Sequence, residues 1–158
     1  MAVARPRRAD YRYPVAITTR WMDNDVYGHV NNVTYYSYFD TAANQFLIGE
    51  GGLDVHGGDV IGLVVESACQ YHAPIAYPTP LTAMVRVDRL GGRAVTYGIA
   101  IFVDEGDAAA RDLAVAHGHF VHVFVDRATR RPVAIPPRLR DALAGIVVAP
   151  PTATPSSG

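Results

Sequence analysis

The chain has little of several things, and each shortage closes off a class of protein. It has one cysteine, Cys69, in 158 residues, so it has neither an intrachain disulfide framework nor a multi-cysteine zinc site. Charged residues make up 18%, below the usual share, and the formal net charge is −1 with histidine neutral. No basic stripe offers itself to a nucleic acid, and no helix-turn-helix pattern is present. No apolar run approaches the roughly 18–20 residues that a membrane-spanning helix needs. The basic N-terminus, "MAVARPRRADYRYP", lacks the apolar stretch of a secretory signal. A reducing, cytoplasmic compartment is the expectation, with no nucleic-acid and no membrane partner.

What is present is apolar: 49% of residues are hydrophobic, enough for one packed core. Three parts are expected: a flexible arm over 1–14, a single domain over 15–145, and a disordered Pro/Ser/Thr tail over 146–158. Val15 to Arg20 reads as a short strand. Tyr35, Tyr38, Phe39, Ala42, Phe46 and Leu47 then recur at spacings of three and four, which predicts a helix from about Asn32 to Ile48, stopped by the glycines that follow.

After that helix the pattern is β. "DVIGLVVESACQYHA" is rich in branched residues and ends at Pro74; "LTAMVRVDRL" and "RAVTYGIAIFV" flank Gly91–Gly92 as a hairpin. "DEGD" predicts a turn, alternation resumes from Leu113 to Val125, and a short last helix is expected over Arg138–Leu143. The fold class is therefore α+β, a five-stranded antiparallel sheet wrapped around one long central helix.

Between the first strand and that helix lies "DNDVYGHVNN". A capped turn accounts for part of it, since Gly28 permits a tight bend and Asn31 or Asn32 can cap a helix. It does not account for Asp25 and His29. A carboxylate facing a helix N-terminus, beside free N–H groups able to hold an oxyanion, suits acyl transfer. Asp23 reads as a solvated or turn-capping acid.

The pattern D-x-D-x-x-G-H-V-N-N-x-x-Y-x-x-Y, Asp23 through Tyr38, resembles the first motif of the hotdog-fold acyl-CoA thioesterases of the 4-hydroxybenzoyl-CoA type. The similarity extends over about Val15 to Leu143, through "YHAPIAYPTPLTAMVRVDRLGGRAVTY" and "VFVDRATRRPVAIPPRLR". It implies a hotdog fold and a thioester hydrolase in which Asp25 attacks the carbonyl or activates the water that does so. It places the oxyanion on the backbone N–H of Asn32. It also implies a homodimer or homotetramer and an acyl-CoA or acyl-carrier-protein thioester as substrate, with coenzyme A part of the substrate and no separate cofactor. A free thiol has a pKa of about 8.5, so the leaving group needs little acid assistance.

His29 either orients Asp25, binds substrate or makes a structural hydrogen bond. Asn31, Tyr35 and Glu66 are further candidates for substrate contact, Glu66 because a carboxylate in an apolar strand needs a reason to be there. Arg89 and Arg93, beside the hairpin, are candidates for the phosphates of coenzyme A or for a solvated face. His117, His119 and His122 read as sheet histidines rather than a metal site, with His117 and His119 on one face and His122 on the other. A non-catalytic acyl-thioester-binding module and an enoyl-CoA hydratase on the same fold are the competing readings.

Overall fold

A computed structural model of the chain describes residues 4–148. Five strands, β1 (Tyr13–Ile17), β2 (Val60–Tyr71), β3 (Leu81–Leu90), β4 (Ala94–Val103) and β5 (Ala116–Asp126), form one sheet in the order β1-β3-β4-β5-β2. Every neighbouring pair is antiparallel. Helix α1 (Thr34–Gly49) lies between β1 and β2 in sequence; α2 (Ala108–Asp112) precedes β5, and α3 (Pro137–Ala144) follows it. The tight Gly91–Gly92 connection makes β3 and β4 a hairpin, as expected. Helix α2 falls where only a turn was expected, and the Asp107 side chain caps it by accepting from Ala110 N–H at 2.8 Å.

One face of α1 builds the core. Tyr35, Tyr38, Phe39, Ala42, Ala43, Phe46 and Leu47 are buried, following the helical period. They meet the inward residues of the sheet, among them Val85, Val87, Tyr97, Ile99, Ile101, Phe120 and Phe124. Phe39 stands edge-on to Phe120, centroids 5.8 Å apart, and Tyr13 edge-on to Phe46 at 4.9 Å. The sheet covers the helix from one side, with β1, β2, β3, β4 and, through Phe120, β5 all touching α1. Ser37, Asp40, Thr41, Gln45 and Ile48 on the opposite side of α1 stay exposed, because those positions carry little apolar surface to cover.

Two expected boundaries move. Residues 4–12, read as a loose arm, are tied to the sheet: Arg5 Nε donates to Ala114 O, Arg8 Nη2 to Val103 O and Asp104, and Arg7 bridges to Leu113. Tyr11 is buried with Ala100, Phe102 and Ala114 on the sheet face opposite α1. At the other end the chain stays paired beyond 145, with Val148 N–H donating to Val87 O at 3.0 Å. The tail expected from 146 otherwise lies outside the described residues.

The strand-one loop is fastened to α1 by a buried acid. Asp23 is 2% exposed and accepts from the Tyr38 hydroxyl at 2.7 Å, from Arg20 N at 2.9 Å and from Arg20 Nε at 3.1 Å. It is a turn-capping acid, as one of the two expectations had it, and it is not solvated. Burial pushes its carboxyl pKa up, but the Tyr38 hydroxyl and Arg20 outweigh that and hold it below the ordinary value. A carboxyl depressed in the folded state contributes stability above its unfolded pKa and loses it as pH falls through the folded one. Tyr38→Phe is therefore expected to cost about 2 kcal/mol at pH 7. The gap to wild type should narrow below about pH 4; urea denaturation at the two pH values checks both.

Candidate active site

Residues 24–30 close on themselves. Asn24 and Val30 form an antiparallel bridge, Asp25 N–H donates to His29 O at 2.9 Å, and Gly28 N–H to Asp25 O at 3.0 Å. The Asp25 side chain joins in, Oδ1 accepting from Tyr27 N–H at 2.9 Å. Gly28 supplies the positive φ, +83°, that this turn requires. Asp25 is thus held by its own turn through one oxygen, while Oδ2 makes no hydrogen bond among the described residues.

The path into α1 turns at Asn31, while the helix's own N-cap position, Val33, has no side-chain cap. Asn31 Oδ1 accepts from Val33 N–H at 2.9 Å and the Asn31 carbonyl from Thr34 N–H at 2.9 Å. Asn32 does not cap. Its carbonyl accepts from the Tyr71 hydroxyl at 2.8 Å, and its N–H has no partner among the described residues. Helix α1 begins at Thr34, later than the expected start at about Asn32, so this N–H lies ahead of the helix and not in its first turn.

Two cavities open on the flanks of this loop. The larger, about 960 Å³, is lined by Asp25 and Asn31 together with Trp21, Met22, Tyr27 and Thr34. The smaller, about 300 Å³, is lined by His29, Asn32, Tyr35, Tyr71 and His72. The Tyr35 ring stands edge-on to Tyr71 with centroids 4.9 Å apart, and burial pushes its hydroxyl up to about 12. His29 is exposed, and its ring makes no hydrogen bond among the described residues. Its structural hydrogen bond runs through the backbone.

The remaining candidates lie elsewhere. Alternation along β2 would point Glu66 inward with Gly62 and Val64, but a bulge between Val64 and Glu66 turns it to the opposite face. There it lies 2.7 Å from His119 Nε2, lining neither cavity. That pairing also supplies the carboxylate that the sequence did not show for the sheet histidines. His122 is 2% exposed, bonded to the Tyr97 hydroxyl at 3.2 Å, and burial pushes its pKa down to about 4. Arg89 and Arg93 line a separate cavity of about 480 Å³ with Thr96 and Val121, and neither forms an ion pair among the described residues. Burial pushes the Cys69 thiol up to about 11, which leaves it a poor nucleophile.

The profile of the thioesterase-like superfamily matches residues 19–143 of this chain. The chain belongs to the thioesterase-like superfamily. Among solved structures, the PA5185 protein of Pseudomonas aeruginosa is 54% identical, with 91% of this chain and 97% of that one covered and a TM-score of 0.86. The PA2801 protein of the same organism is 26% identical over 82% and 96% of the two chains, with a TM-score of 0.74. A 1,4-dihydroxy-2-naphthoyl-CoA thioesterase from Synechocystis shares the fold at 16% identity, covering 84% and 95%, with a TM-score of 0.72. No curated protein matches the sequence.

Within this thioesterase-like chain, sequence reasoning passed over Tyr71 and His72. The only sequence signal for them was the end of a strand running into Pro74; their place beside Asn32 comes from β2 crossing the start of α1. The Asp25 turn depends on a left-handed residue, so Gly28→Ala is expected to destabilise the fold by about 1 kcal/mol although the space around a Cβ there is open. Urea denaturation measures the loss.

Proposed function

We propose that the protein is an acyl-CoA thioester hydrolase in which Asp25 supplies the carboxylate and the Asn32 N–H receives the oxyanion. The observation that carries this reading is one loop holding an acid with an unbonded oxygen and, seven positions on, a backbone N–H with no partner. Attack on the carbonyl, by Asp25 or by water that it deprotonates, forms the C–O bond; the C–S bond then breaks and its electron pair leaves on sulfur. The thiolate is stable enough to leave unaided. Membership of the superfamily supports thioester chemistry. Acyl-CoA as the substrate follows from the resemblance of the Asp23–Tyr38 motif; an acyl-carrier-protein thioester would meet the same groups. Arg89 and Arg93, charged and without acidic partners among the described residues, suit the coenzyme's phosphates.

Asp25→Asn is expected to lower thiol release from acyl-CoA by about 10³-fold or more while leaving circular dichroism and melting unchanged. A folded variant with near-normal turnover would sink the assignment. Binding of acyl-CoA by the wild type with no thiol release would favour the non-catalytic module.

The active form is a homodimer joined at β2. This strand is a sheet edge, and it exposes Leu63, Val64 and Val65. A second copy paired antiparallel covers that edge and its apolar side chains by symmetry. Among the described residues no helix is long and apolar enough to cross a membrane; the cytoplasm suits a chain with a single thiol. Val65→Lys should shift the sedimentation velocity of the protein towards the monomer.

A further inference from the structure

Residues 4–12 strap across the sheet and bring with them positive charge that the hydrolase reading does not use. Arg5, Asp10, Arg12, Arg86 and His117 line a cavity of about 530 Å³ between this strap and the sheet face opposite α1. Arg86 points to that face because Val85 and Val87 on either side of it point into the core. Two of the three arginines have no acid. Arg5 and Arg12 form no ion pair among the described residues, and residues 1–3 and 149–158 contain no Asp or Glu. Arg86 is paired with Asp88 at 2.7 Å, and the Asp10 carboxylate accepts from Arg7 N–H at 2.8 Å. Three arginines against Asp10 and Asp88 leave the pocket positive.

Each guanidinium is anchored through part of its fork and open through the rest. Arg5 Nε donates to Ala114 O at 3.0 Å, and Arg12 Nη1 donates to Ala9 O and Tyr11 O at 3.0 and 3.1 Å. Arg86 donates through Nε to Asp88 and through Nη1 to Asp10 O at 3.0 Å. It lies over the Tyr11 ring, 4.7 Å from the centroid, and over the bare backbone of Gly98, where an added Cβ would come within 2.8 Å of Nε. Both Nη groups of Arg5, Nε and Nη2 of Arg12 and Nη2 of Arg86 have no partner among the described residues. A solvated arginine needs no such anchors. Held forks with unfilled donors around a concavity suit an oxyanion ligand.

The histidines beside the pocket feel its charge. His72 Nε2 and His117 Nδ1 lie 2.7 Å apart with the ring planes 5° from parallel, so one proton is shared at that contact. Burial, and after it Arg5, lowers the pKa of His72; burial, then His72 and Arg86, lowers that of His117. When His72 donates at this contact, the His117 proton sits on Nε2 and is free to donate in turn.

From this we infer that the strap pocket binds a phosphate group, with Arg5 and Arg12 supplying the unpaired charge. Two forks without a carboxylate partner match the charge and three free oxygens of a phosphate monoester better than the two oxygens of a carboxylic acid. The phosphate has two sources: the 3′-phosphate of coenzyme A, or free inorganic phosphate. The first rests on the hydrolase reading and takes over a role given there to Arg89 and Arg93; the site itself does not depend on that reading.

The test titrates the full-length protein with inorganic phosphate and with adenosine 3′,5′-bisphosphate by calorimetry, using wild type, Arg5→Gln, Arg12→Gln and Arg111→Gln. Arg111 is exposed and lies outside the pocket, so its variant controls for net charge. Wild type and Arg111→Gln are expected to bind alike, and each pocket variant about tenfold more weakly. Saturating phosphate should also raise the NMR titration midpoints of His72 and His117, because the bound anion offsets Arg5 and Arg86. Should Arg5→Gln loosen the strap, seen as a lower melting temperature, Arg12→Gln decides. No binding of either probe up to about 1 mM overturns the inference. Equal binding by all three variants, which marks an adventitious ion only, overturns it as well. Octanoyl-CoA against octanoyl-dephospho-CoA then separates the sources. A KM that rises about tenfold without the 3′-phosphate in wild type, but not in Arg12→Gln, assigns the pocket to the coenzyme. Equal KM values with phosphate binding intact assign it to free phosphate. Calorimetry needs no turnover, so a protein that releases no thiol ends the hydrolase reading and leaves the pocket to be decided by the titration.

Discussion

The bond between the Tyr38 hydroxyl and the buried Asp23 carboxylate holds the loop of the candidate site in place. Tyr38 sits on the buried face of α1, so its position is fixed by the core; Asp23 is fixed in turn by Tyr38 and by Arg20. Asn31 N–H donates to the backbone carbonyl of Asp23, and the Asp25 turn is strung between those two anchors. A loop with so many short polar side chains would otherwise have many competing local arrangements. The charge is kept from water by the helix on one side and neutralised by an arginine on the other, so a single arrangement wins.

Much of the architecture was written in periodicity. The spacing of Tyr35, Tyr38, Phe39, Ala42, Phe46 and Leu47 announced a helix with one buried face, and the Gly91–Gly92 step announced the hairpin whose strands run Leu81–Leu90 and Ala94–Val103. What periodicity cannot encode is a change of phase. The bulge at Val65 shifts β2 by one residue, so Glu66 comes out on the face opposite to the one its neighbours imply. The sheet's cover stops at the polar side of α1, where Asp40, Thr41 and Gln45 face water.

The candidate site was legible to the extent that it is local. Asp25, His29, Asn31 and Asn32 lie within eight positions of one another, and the turn chemistry that arranges them can be read from residue types alone. Tyr71, His72 and His117 enter from strands far along the chain, brought in by the antiparallel pairing of β2 with β5. Nothing in the sequence couples His72 to His117; only the register, which sets Gln70 opposite His117 and Tyr71 opposite Ala116, brings the two rings together at the sheet's end.

The N-terminal strap bears on how subunits can assemble. By laying Tyr11 over Ala100 and Phe102 it roofs part of the sheet surface that faces away from α1. A tetramer built by stacking those surfaces back to back would meet the strap before it met β4. A second copy stacked on that patch would meet the arginine-rich segment from Arg5 to Arg12 first, and the sheet behind it only if that segment moved aside.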